Sequence, residues 1–492
     1  MRGYLFLIFA LSLRINAAAQ PNIVLIYADD LGFGELGSYG QKIIRTPFLD
    51  QIASEGLRFT NFYSSSALCA PARCQMLTGL HSGHAQIRAN FEMANGPDSF
   101  TDLNEKGQMP LAVDAVTIAK RLKEAGYATA CIGKWGMGMA DSPGNPNQHG
   151  FDYFYGYLDQ KQAHNYYPTH LWENGTSVGL PNPFMRVHTK VNAESATDSL
   201  FKSFIGNSYS IDAMAEKVRA FISSHKKDRF FLYYPITLPH LALQAPESAV
   251  REYLGKFEEQ PYYGDQGYCP SKYPRSTYAA MVTYMDKKVG ELLDQLKQNG
   301  LENNTLVIFT SDNGSAFKTG GTDPDFFAVN GKLRSHKGSL YEGGIRVPFI
   351  IQWPGIVKPG IVDQPWVGYD IFPTLLDAAG LKKNSGLDGL SFFNLLRGNK
   401  SKVHKFLYFE LSEYSGQQAL RFGDWKAIRR NMNKDPNSAW ELYNLKNDPS
   451  EVDNLAWRFP KKIKKLAALA AKQHAWSPVD QWNFMEKGPN NP

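Results

Sequence analysis

Cysteine is scarce in this sequence, with four residues in a chain of 492. That number excludes the dense disulfide framework that stabilises small secreted domains. Cys74 lies in a predicted helix, Cys131 in an apolar run and Cys269 in a loop rich in tyrosine and proline. We expect these three to be free thiols, with a single bridge among them as the alternative.

Long apolar runs are also missing after the first 19 residues, and the chain shows no internal repeat and no low-complexity linker. The first absence argues against a transmembrane segment, and the others argue against a repeat array. The formal net charge is only +6, and no basic run resembles a nucleic-acid-binding segment. A nucleic acid partner is therefore not expected, whereas an anionic substrate is compatible with the charge.

The first 19 residues differ in character from the rest of the chain. Arg2 precedes an apolar run from Tyr4 to Leu13, and three alanines follow at 17–19. A short apolar region between a basic residue and small residues is typical of a secretory signal peptide, and it is too short to span a bilayer. Although Arg14 interrupts the pattern, residues 1–19 are predicted to be a signal peptide. The mature protein is expected to be exported, either periplasmic or secreted.

The remaining chain alternates strand and helix patterns up to about residue 400. The run at 22–28 is continuously apolar, which is typical of a buried parallel strand. Further strand patterns occur at 127–132, 229–234, 305–309 and 349–353, and helix patterns at 47–55, 116–124 and 276–298. This alternation predicts an α/β domain over 20–400. Strand patterns at 406–411, 419–430 and 440–445, then a helix pattern at 460–473, predict an α+β subdomain over 401–492.

Two pairs of metal-ligand residue types stand directly after strand patterns. Asp29 and Asp30 follow the run at 22–28, and Asp312 and Asn313 follow the run at 305–309. The carboxyl ends of strands are the edge at which α/β proteins bind ligands. Carboxylate and amide oxygens suit a hard divalent cation such as calcium. For the first pair, a solvated turn is the alternative.

The stretch from Ser66 to Gly79 carries the most distinctive chemistry. If Pro71 opens a helix, Cys69 lies at its N-terminal mouth, where unpaired N–H groups and the helix dipole favour negative charge. Arg73 projects one turn further along the helix. The pattern predicts an anion-binding cradle with a reactive residue at its edge. A buried cysteine before an ordinary helix is the alternative.

This stretch resembles the sulfatase signature, in which Cys-x-Pro-Ser/Ala-Arg precedes Leu-Thr-Gly, and Ala72 stands where serine is commoner. Further motifs of that family occur in the expected order and together span about residues 22–430. They are Asp29-Asp30, Gly133-Lys134-Trp135, Pro239-His240, Asp312-Asn313 and the run from Lys337 to Pro348. The resemblance implies the alkaline-phosphatase-like α/β fold, a large mixed β-sheet flanked by helices, with a small C-terminal antiparallel sheet-and-helix subdomain.

The resemblance also implies roles for individual residues. In sulfatases the signature cysteine, here Cys69, is oxidised to formylglycine by a partner, a formylglycine-generating enzyme or an anaerobic maturase, and the hydrated aldehyde is the nucleophile. One Ca²⁺ is implied, with the ligands Asp29, Asp30, Cys69, Asp312 and Asn313. The groups implied to contact the sulfate or the leaving oxygen are Arg73, Lys134, His240 and Lys337.

The chain departs from the family pattern at one position. Gly136 stands where a histidine usually follows the tryptophan of Gly-Lys-Trp, so one habitual active-site group is missing. His164 and His84 lie in polar loops that are expected near the site. We favour His164 as the leaving-group acid, because its aromatic loop suits contact with a sugar; a histidine that only packs in the loop is the alternative. Glu342 and Arg346 are expected to form a structural ion pair.

Together these features predict an exported sulfatase that hydrolyses sulfate esters of a carbohydrate. The aromatic-rich insertion at 150–210 suits stacking against sugar rings, although a packed aromatic cluster has the same composition. The loops around His84 and His164 resemble those of bacterial polysaccharide sulfatases, which implies a galactose- or N-acetylgalactosamine-type sulfate. The alternatives are a phosphomonoester or phosphonate hydrolase on the same scaffold and a catalytically inactive glycan-binding relative. The intact Cys69 and Arg73 argue against the inactive relative.

Overall fold

The fold is that of a computed structural model, which describes residues 20–93, 106–382 and 385–484. The predicted signal peptide at 1–19 lies outside these residues. Eleven α-helices occur in the described ranges, and none is both long and apolar enough to cross a membrane. The helices are α1 (Pro47–Glu55), α2 (Cys69–Thr78), α3 (Ile118–Glu124), α4 (Asp198–Lys202), α5 (Ser210–Ser224), α6 (Glu247–Val250), α7 (Pro274–Gln298), α8 (Glu342–Ile345), α9 (Ile371–Ala378), α10 (Phe393–Leu396) and α11 (Pro460–Ala470).

Sixteen β-strands lie in the same ranges and form three sheets, of ten, two and four strands. The strands are β1 (Asn22–Ala28), β2 (Leu57–Phe59), β3 (Phe62–Tyr63), β4 (Ala128–Lys134), β5 (Tyr153–Tyr157), β6 (His170–Glu173), β7 (Thr176–Gly179), β8 (Phe230–Tyr234), β9 (Thr305–Ser311), β10 (Phe349–Gln352), β11 (Gly360–Val362), β12 (Trp366–Val367), β13 (Leu407–Leu411), β14 (Gln417–Phe422), β15 (Trp425–Arg430) and β16 (Glu441–Asn444). The two-stranded sheet pairs β12 with β3.

Ten strands form one mixed sheet in the order β11-β2-β10-β9-β1-β8-β4-β5-β6-β7. The central strands β9, β1, β8, β4 and β5 run parallel, whereas β10 and β6 run antiparallel to their neighbours in that group. In the register, Leu25 of β1 lies between Tyr233 of β8 and Ile308 of β9. The carboxyl ends of the parallel strands therefore meet at one edge of the sheet.

Both faces of the large sheet are covered by helices. Along β1, Val24 and Ile26 pack into a core that contains side chains of α1, α5 and α7, while Ile23 and Leu25 pack into a second core with α2, α3 and α9. Because side chains alternate across a strand, a strand buried on both faces has a continuously apolar sequence. The predicted strand at 22–28 and helix at 47–55 are confirmed with their bounds.

A small antiparallel sheet, β13-β14-β15-β16, follows the large sheet in the chain, and α11 packs on it. The predicted C-terminal sheet and helix are therefore confirmed. One expectation was wrong: residues 419–430 belong not to one strand but to the hairpin of β14 and β15, which turns at Gly423 with a φ of 58°. Glycine adopts this φ at little cost, and the turn places Phe422 opposite Trp425.

The four cysteines are all buried and free, which confirms the expectation for Cys74, Cys131 and Cys269. Burial raises the pKa of the Cys74 thiol to about 11 and that of the Cys269 thiol to about 12. Thiols with such values stay protonated at neutral pH and are poor nucleophiles. These three cysteines therefore contribute packing rather than chemistry.

A buried ion-pair cluster joins the small sheet to the main domain. Lys426 Nζ, on β15, lies 2.9 Å from a carboxylate oxygen of Glu342 on α8 and 2.9 Å from one of Glu451. Burial opposes the charge of Glu342, yet Lys426 holds the pKa of that carboxyl down at about 2, whereas burial raises the pKa of Glu451 to about 7. The expected pair of Glu342 with Arg346 is present at 3.5 Å, but Lys426 is the closer partner.

We expect Lys426→Met to lower the free energy of unfolding by about 3–5 kcal/mol, because the change removes the closest cation from two buried carboxyl groups, Glu342 and Glu451. The measurement is urea denaturation followed by tryptophan fluorescence. Lys446→Met is the matched control, since Lys446 is exposed in the same subdomain and its loss should cost no more than about 0.5 kcal/mol. Equal shifts in the two variants would contradict the role assigned to the cluster.

Candidate active site

Four neighbouring parallel strands, β9, β1, β8 and β4, bring charged and polar side chains to one edge of the large sheet. Each strand is apolar along its length and changes to polar residues where it leaves the two cores. Because the strands are parallel and adjacent, residues far apart in sequence meet at this edge. The residues that end or follow them are Asp29 and Asp30 after β1, Lys134 in β4, His240 after β8, and Asp312 and Asn313 after β9.

Asp29, Asp30, Asp312 and Asn313 form one cluster at that edge of the sheet, which is called the acidic cluster below. The backbone N–H of Asp30 donates to Asp312 Oδ1 at 3.1 Å, and Asn313 Nδ2 donates to Asp30 Oδ1 at 2.7 Å. Asp29, Asp312 and Asn313 are fully buried, and Asp30 is 3% exposed. The solvated turn that was the alternative for Asp29 and Asp30 is therefore wrong, because both carboxylates lie inside the protein.

Cys69 is the first residue of α2, with Leu68 as the N-cap, so the helix begins two residues before Pro71 rather than at it. Proline is tolerated there because the first N–H groups of a helix have no intrahelical partner. Cys69 Sγ lies 3.4 Å from Asp29 Oδ1 and 3.8 Å from Asp30 Oδ1. Burial, with a further contribution from Asp312, raises the pKa of the Cys69 thiol well above its ordinary value.

Three cationic side chains meet the acidic cluster. Arg73 Nη2 lies 2.7 Å from Asp312 Oδ2, and its Nη1 donates to the carbonyl oxygen of Lys134 at 2.9 Å. Lys134 Nζ lies 2.7 Å from Asp29 Oδ2. Lys337 Nζ lies 2.8 Å from an oxygen of Asp30, and 3.3 Å from Cys69 Sγ. Lys337 therefore contacts Cys69 directly, whereas Arg73 and Lys134 contact the carboxylates beside it.

The charges of the cluster are unevenly balanced. Burial opposes the charge of Asp29, yet Lys134, with His240 and Arg73, holds the pKa of its carboxyl well below the ordinary value. Burial together with the charge of Asp29 raises the pKa of Asp312 to about 7, even though Arg73 opposes that shift. Three buried carboxyl groups this close together are thus not fully neutralised by the neighbouring cations.

The donor set of the cluster fits a hard divalent cation. The amide group of Asn313 donates from Nδ2 to Asp30 and to the carbonyl oxygen of Gly314, while its Oδ1 is buried without a hydrogen-bond partner. Donor atoms of Asp29, Asp30 and Cys69 lie within 4.8 Å of one another. Carboxylate oxygens with an unpartnered amide oxygen beside them are the ligands that calcium and magnesium prefer.

His240 lies beside the same cluster. Its Nδ1–H donates to the carbonyl oxygen of Leu241 at 2.6 Å, which leaves Nε2 to accept from Lys337 Nζ at 3.2 Å. Burial lowers the pKa of His240 to about 4, although the nearby Asp30 opposes this shift. The ring is therefore neutral, with Nε2 directed at the group that also contacts Cys69.

His164 stacks on His240, with ring centroids 4.9 Å apart and an interplanar angle of 12°. His164 Nδ1 lies 3.0 Å from His188 Nε2, and His188 Nδ1 lies 2.6 Å from the carbonyl oxygen of Gly267. Since a carbonyl only accepts, His188 carries its proton on Nδ1 and accepts from His164 Nδ1–H. This chain of hydrogen bonds leaves Nε2 of the neutral His164 as an acceptor atom, and burial lowers the pKa of His164 well below its ordinary value.

Comparison with known proteins gives the family. A family model described as Sulfatase matches residues 21–381, and a second, described as N-sulphoglucosamine sulphohydrolase, C-terminal, matches residues 335–473. The chain belongs to the sulfatase family. Members of this family are sulfuric ester hydrolases, so the predictions of the family, of its fold and of the enzyme class are confirmed.

Three proteins similar to this sulfatase align with it over 90% or more of their own length. Arylsulfatase A of Bos taurus is 32% identical and aligns with 95% of this chain and 90% of its own. The N-acetylgalactosamine-6-O-sulfatase of Bacteroides thetaiotaomicron is 28% identical and aligns with 92% of each chain. The crystal structure of Ps i-CgsB in complex with k-i-k-neocarrahexaose superposes with a TM-score of 0.73 at 27% identity, over 95% of each chain.

The space beside Gly136 is occupied in this sulfatase by a glutamine. Gly136 has a φ of 74°, and a Cβ there would lie 2.7 Å from Cγ of Gln160. A histidine at this position would therefore need both a strained backbone and a displaced Gln160. Gln160 Nε2 lies 3.5 Å from Asn90 Oδ1, which accepts the backbone N–H of Ala70 at 2.9 Å. Gln160 and Asn90 were missed by the sequence analysis, because no motif carries them.

A cavity of about 210 Å³ opens above Cys69. Asp30, Cys69, His164, His240 and Lys337 line it, whereas Asp29, Arg73 and Lys134 are buried behind Cys69. Its aromatic walls come from separate loops, and they are Tyr268, Phe317 and Tyr414. These aromatic side chains were also missed, since each stands in a loop without periodicity.

His84 is in a different place from the one that its motif predicts. Its Nδ1 lies 2.9 Å from Asp388 Oδ2, and its ring stacks on His81 with centroids 4.0 Å apart. Among the residues described here, His84 is not part of the cavity lining, whereas His164 is. The geometry therefore separates the two candidates for the group that replaces the missing histidine.

Proposed function

We propose that this sulfatase is exported and hydrolyses sulfate esters of a carbohydrate of the galactose or N-acetylgalactosamine type, using one Ca²⁺ and a formylglycine formed from Cys69. The observation that carries the proposal is the position of Cys69, whose Sγ lies 3.4 Å from Asp29 Oδ1 and 3.3 Å from Lys337 Nζ at the base of a cavity. A reactive group at this point faces both a metal-binding cluster and a cation for the anionic substrate.

The residues proposed to hold the metal ion are those of the acidic cluster. Asp29, Asp30, Asp312 and the unpartnered Oδ1 of Asn313 supply oxygen donors, with the modified side chain of residue 69 beside them. When bound, Ca²⁺ supplies positive charge that stabilises an oxygen nucleophile at residue 69. Calcium is preferred to zinc because zinc sites in proteins are built mainly from cysteine and histidine ligands.

The modification of Cys69 sets a condition on folding. The residue is 1% exposed and belongs to a helix whose residues are all buried. Its conversion must therefore precede the packing of α2, so the proposed partner, a formylglycine-generating enzyme or an anaerobic maturase, acts on the unfolded segment. When present, the hydrated formylglycine supplies a hydroxyl group as the nucleophile.

The cations are proposed to bind the transferred sulfate. Lys337 lines the cavity and contacts the group at residue 69, while Arg73 and Lys134 lie behind it and neutralise the carboxylates. Charges fixed in a buried site need no reorganisation when negative charge develops on the substrate. This arrangement suits the singly charged head group of a sulfate ester whose bridging oxygen points outward toward the cavity.

The two stacked histidines are proposed to act at the two ends of the ester bond, His240 at the sulfate and His164 at the leaving oxygen. His240 is held neutral and directed at Lys337, which makes it a positioning contact for the sulfate end. His164 is oriented by His188, and its Nε2 makes no hydrogen bond to the described residues. Because burial lowers the pKa of His164, it delivers a proton to the sugar oxygen only after Nε2 has taken one up, which the negative charge of the bound ester favours. General acid catalysis of this kind is needed only when the leaving alcohol is a poor one.

The sugar preference rests on the cavity walls and on one relative. Tyr268, Phe317 and Tyr414 present aromatic faces around the opening, which suits stacking against sugar rings. The N-acetylgalactosamine-6-O-sulfatase of Bacteroides thetaiotaomicron aligns over 92% of this chain. Tyr414 belongs to the proposed C-terminal subdomain, 401–492, so in this proposal both that subdomain and the catalytic domain, 20–400, bind the substrate.

His164→Ala is expected to lower kcat on a sugar sulfate by roughly 10²–10⁴-fold, because the leaving alkoxide then departs without a proton. The loss on an aryl sulfate should be much smaller, since a phenolate leaves without protonation. The measurement is kcat for both substrates in each variant. His84→Ala is the matched control, because His84 lies outside the cavity lining.

Equal losses on the two substrates would instead identify His164 as a residue that positions the ester. If activity fell on neither substrate, the role of leaving-group acid would be assigned to His240 instead. A His188→Ala variant should reproduce part of the selective loss, since it removes the acceptor that orients His164.

The test of the proposed function is a substrate panel on the purified protein. Sulfated galactose and N-acetylgalactosamine, an aryl sulfate and the corresponding aryl phosphate are compared by kcat/KM. Faster hydrolysis of the phosphate would favour the phosphomonoester hydrolase instead. Binding of the sugar sulfates without turnover, in protein shown to carry the modification, would favour the inactive glycan-binding relative.

A further inference from the structure

The acid-free stretch of the chain that holds the most cations contains α11, which packs on the small C-terminal sheet. It is far along the sequence from the catalytic groups. Between Asn454 and Val479 the sequence holds six cations and no acidic residue, and the whole chain has a formal net charge of +6. The cations are Arg458, Lys461, Lys462, Lys464, Lys465 and Lys472.

The basic side chains of α11 cover aromatic rings without neutralising their own charge. Leu466 and Ala470 fix the helix in the core of the small sheet. Lys462 Nζ lies 3.6 Å from the ring centroid of Trp425, and Lys465 Nζ lies 4.8 Å from that of Phe422. Long basic side chains commonly bury their apolar stems in this way while the charged end stays in water.

Three helix lysines elsewhere in the described structure, Lys123, Lys217 and Lys288, are each paired with a carboxylate. Lys217 of α5 lies 2.8 Å from Glu173, and Lys288 of α7 lies 3.0 Å from Glu291. No described carboxylate lies within 4 Å of a cation of the α11 segment. The segment also lacks any acidic residue in the first turn of its helix.

This distribution of charge destabilises the isolated helix. Lys461 and Lys465 are four residues apart, and like charges at that spacing repel each other. Lys461 and Lys462 also stand in the first turn, where the helix dipole favours negative charge. A polyanion bound along the helix would relieve both effects. The uncompensated positive charge of this segment therefore favours the binding of an anionic ligand.

An exposed aromatic ring adjoins the basic side chains. Trp457 is 80% exposed and lies directly before Arg458, three residues ahead of α11. A flat ring next to unpaired cations suits a polymer that alternates sugar faces and anionic groups. At its other end the segment contacts the loop that precedes Asn90, a residue of the cavity lining. Ala475 N–H donates to the carbonyl of Gly83 at 2.9 Å, and Arg88 donates to the carbonyl of Ala475 at 2.8 Å.

We propose that Trp457 and the basic face of α11 bind the anionic chain of a sulfated polysaccharide at a distance from the ester that is hydrolysed. The proposal rests on the proposed function, which requires a sulfated carbohydrate as the substrate. Several weak charge contacts along one chain add up, because binding at one point raises the local concentration at the others. The surface thereby holds a polymer while its ester groups enter the cavity.

The test measures binding of the full-length enzyme to immobilised dextran sulfate, with unsulfated dextran as the reference. The basic-face variant is Lys461→Gln, Lys462→Gln, Lys464→Gln and Lys465→Gln combined. We expect its Kd for dextran sulfate to rise by about tenfold at low salt, and the difference to disappear at high salt, where charge contacts are screened. The matched control changes the same number of exposed lysines elsewhere, with Lys42→Gln, Lys226→Gln, Lys227→Gln and Lys358→Gln.

Turnover of an aryl sulfate should be the same in all these variants, because none of the changed residues lines the cavity. Trp457→Ala provides a second variant that leaves charge unchanged, and it should weaken dextran sulfate binding at both salt concentrations. Thermal unfolding should show the basic-face variant to be about as stable as the wild type, since the removal of four repelling charges offsets the lost contacts of Lys462 and Lys465 with Trp425 and Phe422.

Equal weakening by the control set would overturn the proposal, because net charge alone would then explain binding. Unchanged binding in the basic-face variant would also overturn it, and so would binding of the wild type to vesicles of anionic phospholipid but not to dextran sulfate. If the enzyme hydrolysed sugar sulfates and the basic-face variant bound dextran sulfate as the wild type does, the binding surface would be refuted and the proposed function would stand. If the protein bound dextran sulfate through α11 but hydrolysed no sulfate ester, the proposed function would be refuted and the binding surface would stand.

Discussion

Cys69→Ala is expected to lower kcat on any sulfate ester by roughly 10⁴–10⁶-fold, the loss seen when a covalent nucleophile is removed from an enzyme. The variant removes the Sγ atom that lies 3.4 Å from Asp29 Oδ1 and 3.3 Å from Lys337 Nζ. The fold should survive, because alanine is smaller and suits a helix. The measurement is kcat on an aryl sulfate, with circular dichroism and thermal unfolding as the test of folding.

Cys74→Ala is the matched control for this variant. Cys74 lies in the same helix, is equally buried and contacts no member of the acidic cluster. It should lose some stability and keep its kcat. If the two variants lost activity equally, disruption of α2 rather than loss of the nucleophile would be the cause.

The modification itself is tested on the tryptic peptide from Phe59 to Arg73. In active enzyme this peptide should have the mass of the aldehyde in place of the thiol, and it should react with a hydrazide probe. A fully active sample in which every copy of the peptide retains the thiol would refute the formylglycine mechanism. Enzyme produced without the modifying partner should carry the thiol and be inactive.

Asp312→Ala is expected to lower both the calcium content of the enzyme and its kcat/KM, the latter by roughly 10²–10³-fold or more. The substitution removes one of three carboxylates from the cluster, and it leaves Arg73 Nη2 without its partner at 2.7 Å. Metal content is measured by elemental analysis of the purified variant, so the result does not depend on turnover.

Asp323→Asn is the matched control for the metal prediction, because Asp323 pairs with Arg275 at 2.6 Å outside the cavity lining and its loss should leave calcium bound. The complementary experiment treats the wild type with a chelator and then restores Ca²⁺ or Zn²⁺. Calcium should return the rate and zinc should not. A rate that chelation leaves untouched would mean that the cluster holds no metal ion needed for turnover.

The sequence predicts most closely those parts of the fold that depend on local patterns. The strand at 22–28 and the helix at 47–55 were placed correctly, because a strand buried on both faces and a helix between Pro47 and Gly56 have unmistakable local signals. The start of α2 was misplaced by two residues, since the N-cap residue Leu68 has no side chain that marks it.

The acidic cluster was predicted from the residue types that follow two strand patterns and from the family resemblance, and the adjacent parallel strands β9 and β1 bring its members together. The parts that were missed arise from contacts between segments far apart in sequence. His188 orients His164 from 24 residues away, and Gln160 fills the space beside Gly136. The partner of Glu342 was likewise incomplete, because Lys426 comes from a strand that the sequence alone merges with its neighbour. Such contacts depend on packing, which no periodicity records.

The aromatic walls of the cavity come from three loops that are remote from one another, with Tyr268, Phe317 and Tyr414 as their side chains. The charged groups beneath them stand on strand ends inside two packed cores. Insertions or replacements in a loop can therefore accumulate without disturbing the sheet. A lineage with this architecture is able to diversify its choice of ester by exchanging loops, one at a time, while the chemistry is inherited unchanged.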